Sequence, residues 1–111
     1  MLFFEPAILN TADCTARFTA KDDAQIYGSC DLLLHDNVAD IVSCQRVVSD
    51  PEITEGLFRT ALNFAANRGC YIAVCSADGA DDVRDLLGFQ KRDGRWQNDI
   101  PTLLTGHCHQ N

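Results

Sequence analysis

The strongest constraint in this chain is a long helix that runs almost directly into a short, wholly apolar strand. Ser49-Asp50-Pro51-Glu52 carries the signals of a helix start. Ser49 or Asp50 can accept a backbone N–H as N-cap, Pro51 suits the first turn, and Glu52 completes a Ser-x-x-Glu box. Ile53, Leu57, Ala61, Phe64 and Ala65 follow at spacings of three and four, and Phe58 and Leu62 widen the stripe. Thr54, Glu55, Arg59, Asn63 and Asn67 fall on the opposite side. The spacing predicts an amphipathic helix of about five turns, closed at Arg68-Gly69 with Gly69 as left-handed cap. Residues 70–75 (CYIAVC) then read as a strand buried on both faces.

The rest of the chain fits around that unit. At 111 residues there is room for one domain, spanning 1–111. Residues 15–20 alternate weakly and end at a Lys21-Asp22-Asp23 turn. Two extended apolar segments, 26–35 and 38–48, flank Asp36-Asn37, which suits a tight hairpin turn. Residues 78–87 read as a short helix stopped by Gly88. Residues 89–91 and 95–100 flank Asp93-Gly94, a second hairpin signal. Residues 1–14 are expected to be an N-terminal segment, and 101–111 a loose tail. The order is three strands, a long helix, a strand, a short helix and a hairpin. It predicts an α/β (α+β) sandwich with a mixed sheet and a right-handed crossover.

Charge and cysteine usage narrow the classes. Nine Lys and Arg against sixteen Asp and Glu give a net charge of -7, and Lys21 and Lys91 are the only lysines. Nucleic acid is therefore not an expected partner, because its binding depends on cationic contacts. No apolar run reaches the roughly 20 residues of a membrane span, and the opening residues lack the pattern of a signal peptide. Cys14, Cys30, Cys44, Cys70 and Cys75 sit in or beside apolar segments. Reduced, buried thiols in a cytoplasmic protein are the expected reading.

Motifs are sparse. There is no G-x-x-x-x-G-K loop, G-x-G-x-x-G, G-x-S-x-G or H-E-x-x-H. The acidic cluster Asp78, Asp81, Asp82 and Asp85 reads as a helix start rather than a metal site, since negative side chains favour the positive end of the helix dipole. His107-Cys108-His109 could place two imidazoles on one ion, or an activated thiolate beside an imidazolium; a polar tail is the alternative.

The stretch from Val47-Val48-Ser49-Asp50-Pro51-Glu52 through Leu57-Phe58-Arg59 to Arg68-Gly69-Cys70, with Leu87-Gly88-Phe89 further on, resembles the cofactor-binding core of the GNAT acyltransferase superfamily. The resemblance covers about residues 17–100 and looks most like short bacterial GNAT-like proteins. It implies acetyl-CoA as cofactor and an amine as acceptor. Val47 and Val48 would flank the pantetheine arm where two central strands splay. The pyrophosphate would sit at the head of the long helix, on Ile53, Thr54, Glu55 and Gly56. Two glycine positions of the family's phosphate loop are held here by Glu52 and Thr54, and the position of a frequent catalytic tyrosine by Arg84; no catalytic residue is assigned. Arg59, Arg84, Arg92 or Arg95 could supply phosphate contacts from outside the loop. Three functions follow: an acyl-CoA-dependent N-acyltransferase, a non-catalytic GNAT-like binding or dimerising module for which a homodimer is one form, and a thiol or metal protein using the His107-Cys108-His109 tail.

Overall fold

A computed structural model describes residues 1–105 and shows a mixed α+β fold. The elements, in chain order, are β1 (Phe3–Ile8), β2 (Ala16–Lys21), β3 (Ile26–His35), β4 (Val38–Arg46), α1 (Pro51–Asn67), β5 (Ile72–Cys75), α2 (Asp81–Leu87), β6 (Gln90–Arg92), β7 (Arg95–Asp99) and α3 (Ile100–Thr105). The strands form one seven-stranded sheet in the order β1-β2-β3-β4-β5-β7-β6. β1 to β4 are an antiparallel meander, α1 carries the chain across to β5, parallel to β4, and β5 pairs antiparallel with β7.

Local chemistry explains most of these elements. Asp50, not Ser49, is the N-cap of α1; its carboxylate accepts the Glu52 N–H at 3.0 Å. Gly69 follows the helix at φ +89°, the left-handed region a Cβ would resist. Asp93 and Gly94 both have positive φ, as the hairpin between β6 and β7 requires. Thr54, placed on the outer side of α1 by the sequence, is 2% exposed. It shares its turn with Leu57 and Phe58 and so joins the buried stripe.

Register sets the two faces of the sheet. Ala16, Leu32, Ile41 and Cys75 are successive cross-strand partners, and all four are buried beneath the helices. Leu57, Phe58, Leu62, Val83, Leu87, Ile100 and Leu103 close the same core from α1, α2 and α3. The other face carries Arg17, Asp31 and Ser43 in one row, and Arg17 grips Asp31 through two hydrogen bonds at 2.7 and 3.1 Å. This face is polar around that row, whereas alternation places Leu33, Val38, Ile72 and the 2% exposed Val74 on it nearer the centre of the sheet. β5 is buried from Ala73 to Cys75, while Tyr71, expected within the buried strand, is 56% exposed and precedes it.

Two segments depart from expectation. Phe3–Ile8, within the expected N-terminal segment, is one of the two edge strands of the sheet. Part of the expected loose tail is ordered: α3 follows β7 directly, and Leu103 is fully buried. Asp99 anchors α3 by accepting from the Thr102 backbone N–H at 2.9 Å and its hydroxyl at 3.0 Å. His107, Cys108 and His109 lie outside the described residues. No described helix is long and apolar enough to cross a membrane.

Candidate functional site

The parallel pair at the centre of the sheet opens at its carboxyl end, the usual ligand position in sheets with parallel strands. β4 and β5 are paired from Val38–Ile72 to Ile41–Cys75, where β5 ends. The N–H groups of Ser76 and Ala77 both donate to the Ile41 carbonyl, at 2.9 and 3.1 Å, and turn the chain off the sheet. β4 continues to Arg46 without a β5 partner, a gap in strand pairing that forms the crevice along its last residues. At the vertex the Ser76 hydroxyl donates to the Asp40 carboxylate, with Oγ 2.8 and 3.0 Å from its two oxygens. On the helix-covered side the thiols of Cys44 and Cys75 flank the same opening. Burial pushes the Cys75 thiol up to about 11, so it is protonated at neutral pH.

Arg46 spans the far end of the crevice. Its guanidinium donates to both Asp82 oxygens at 2.8 and 3.2 Å and to the Gly79 carbonyl at 3.2 Å, joining β4 to the start of α2. The hydrogen bond from Arg46 holds Asp82 below the usual carboxylate range. Among the described residues, Arg46 Nε is buried with no hydrogen-bond partner.

Beyond β5 lies a cavity of about 300 Å³ lined by Cys75, Ser76, Asp78, Arg84, Arg95 and Trp96 among others. Arg84 sits over the Trp96 ring, its guanidinium carbon 3.7 Å from the centroid, and also pairs with Asp81 and Asp85. Arg84 therefore shapes this cavity as a wall held by stacking and ion pairs. No local spacing signals the stacking of Arg84 on Trp96, because Trp96 arrives from the hairpin strand β7.

The residues expected at a coenzyme A site are brought to one end of the sheet but are already engaged. Val47 and Val48 follow β4, and both backbone N–H groups donate to the Tyr27 carbonyl, at 3.0 and 3.2 Å. Ile53 packs against the core and Thr54 is buried in it. Glu55 accepts from Arg59 Nε at 2.9 Å, and Arg59 also donates to the Leu104 carbonyl at 2.7 Å. Gly56 lies beneath the Phe4 ring, where a Cβ would stand 2.8 Å from Cε1. At the head of α1, Pro51 has no N–H to offer and the Glu52 N–H is taken by Asp50. The Asp50 carboxylate thus sits where an anion would bind. These residues do not fit a pyrophosphate.

The acidic cluster is also divided. Asp82 turns to Arg46, while Asp81 and Asp85 turn to Arg84. Among the described residues no group of three or more His, Cys, Asp or Glu is arranged to hold a metal ion. No family model matches the chain, and no curated protein is similar to it in sequence.

Proposed function

We propose that this chain is a GNAT-like scaffold acting as a non-catalytic binding module, with its ligand at the carboxyl ends of β4 and β5. The order β4–α1–parallel β5–α2–hairpin supports the GNAT-like reading. The observation that carries the non-catalytic one is the head of α1, where the Asp50 carboxylate caps the helix and Pro51 removes a donor. A coenzyme A pyrophosphate placed there would meet a fixed negative charge instead of open N–H groups.

N-acyl transfer from acetyl-CoA to an amine is the second reading, favoured by the vertex of the crevice. There Asp40 and Ser76 form a hydrogen-bonded acid–base pair beside a gap between two parallel strands.

Thermal unfolding of the reduced protein with and without millimolar acetyl-CoA and CoA separates the two. A ligand at a hundredfold over its dissociation constant adds about 2.7 kcal/mol. For a domain of this size the midpoint would rise by on the order of 10 °C. The binding-module reading expects no shift. A rise of that size overturns it and makes the acyltransferase the working assignment.

A further inference from the structure

We propose that Cys30 and Cys44 are a redox-active pair that closes into a reversible cross-strand disulfide between β3 and β4. The two residues are direct partners in the antiparallel register. Val47 N–H donates to the Tyr27 carbonyl one step beyond the end of that ladder. By strict alternation Ser29–Gln45 and Asp31–Ser43 are then the hydrogen-bonded pairs, and Cys30–Cys44 is a non-hydrogen-bonded one. Such partners face the same side of the sheet with Cα atoms about 4.5 Å apart, the closer of the two spacings. A disulfide spans Cα separations of roughly 4.4–6.8 Å, so it can form here with little backbone movement. The other described cysteines have no such partner. Cys75 lies opposite Ile41 and Trp96, and Cys14 and Cys70 lie outside the strands.

Exposure assigns the order of events. Cys30 is buried, its Sγ 3.8 Å from the Leu57 carbonyl, while Cys44 is half-buried on the crevice side of β4. Cys44 is therefore the thiol that an oxidant reaches, and Cys30 the one that resolves it. With a peroxide as oxidant, the Cys44 thiolate attacks one peroxide oxygen. The O–O bond breaks, hydroxide leaves and a sulfenic acid forms. Cys30 sulfur then displaces that oxygen, which leaves as water after taking up the Cys30 proton. Two thiols and one hydrogen peroxide give one disulfide and two waters. Burial pushes both thiols up from their ordinary values, so the reaction is slow at neutral pH and accelerates in alkali. Cys44 belongs to the part of β4 that has no β5 partner, so the bond would pin one wall of the crevice to β3. The pair is independent of what the crevice binds.

The test is peroxide treatment of the folded, full-length protein, with excess thiols alkylated and the chain cut on the amino side of Asp31 and Asp40. The expected product is a pair of peptides, one holding Cys30 and the other Cys44, joined by a bond that dithiothreitol releases. Cys44→Ser and Cys30→Ala should each abolish that species, whereas Cys75→Ala and Cys108→Ser should leave it in place. Cys44→Ser, at a half-buried position, carries the result if Cys30→Ala does not fold. Three results would overturn the proposal: Cys44 oxidised to sulfinic acid beside a free Cys30, a disulfide to any other cysteine or between chains, or a protein that stays reduced while its urea-unfolded form oxidises.

Discussion

The ring of Phe4 lies over Gly56 so closely that a Cβ on the glycine would fall within 3 Å of two ring carbons. One relationship thereby locks the edge strand β1 to the first half of α1.

Gly56→Ala should therefore destabilise the protein by about 1–3 kcal/mol through overpacking, despite the helix propensity gained. Denaturant unfolding of Gly56→Ala, Phe4→Ala and the double variant measures the coupling. The double variant should be more stable than the sum of the two losses predicts, because removing the ring makes room for the methyl. Strict additivity would show that the two residues do not touch in solution.

The cap of α1 discriminates two neighbouring residues. Asp50→Ala should cost about 1 kcal/mol, as loss of an N-cap does, while Ser49→Ala should change stability by less than about 0.5 kcal/mol. Equal losses at the two positions would return the cap to the sequence-level ambiguity.

α3 is a second point of decision. Leu103 is fully buried against the core, so Leu103→Ala should lower the unfolding free energy by about 2–4 kcal/mol. A change of a few tenths would mean that this segment behaves as a loose tail.

At low pH, Asp31 is the informative carboxylate. The hydrogen bonds from Arg17 hold it below its ordinary value, outweighing the opposing effect of burial. Its stabilisation is present above the unfolded value of about 3.9 and is lost as pH falls through the lower folded value. The unfolding midpoint should thus decline below about pH 4, and Asp31→Asn should flatten part of that decline. The difference should stay within about 1 kcal/mol, since Arg17 is half exposed.

At high pH the buried thiols act in the opposite direction. Desolvation raises Cys75 to about 11, so the unfolded chain loses this proton first. Stability should fall as pH rises from about 9 towards 11, and Cys75→Ala should show a shallower fall over the same window. Denaturant midpoints at stepped pH measure both slopes. Identical slopes would show that Cys75 titrates in the fold as it does unfolded.

Several elements were legible because their signals are short-range. The Asp50-Pro51 start and Gly69 stop bound α1, Asp93-Gly94 sets the last hairpin, and apolar runs mark β3, β4 and β5. α3 also had a local signal: Asp99-Ile100-Pro101-Thr102 repeats the acid-and-proline opening of α1. β1 had none, because Pro6 argues against a strand. Leu9 N–H donates to the Thr15 carbonyl, so alternation turns the backbone of Phe4, Pro6 and Ile8 outward, and the missing N–H of Pro6 falls on the free edge.

Caps, turns and periodicity act within a few residues, so the run from β2 to β7 and the apolar stripe of α1 are written locally, while β1 and α3 fall outside that reading. Contacts between distant elements set the rest: the pairing of β1, the closure of Arg46 onto Asp82, the stacking of Arg84 on Trp96 and the covering of Gly56 by Phe4. Each of these joins residues from different elements. No spacing along the chain encodes them, because register and packing set which side chains meet.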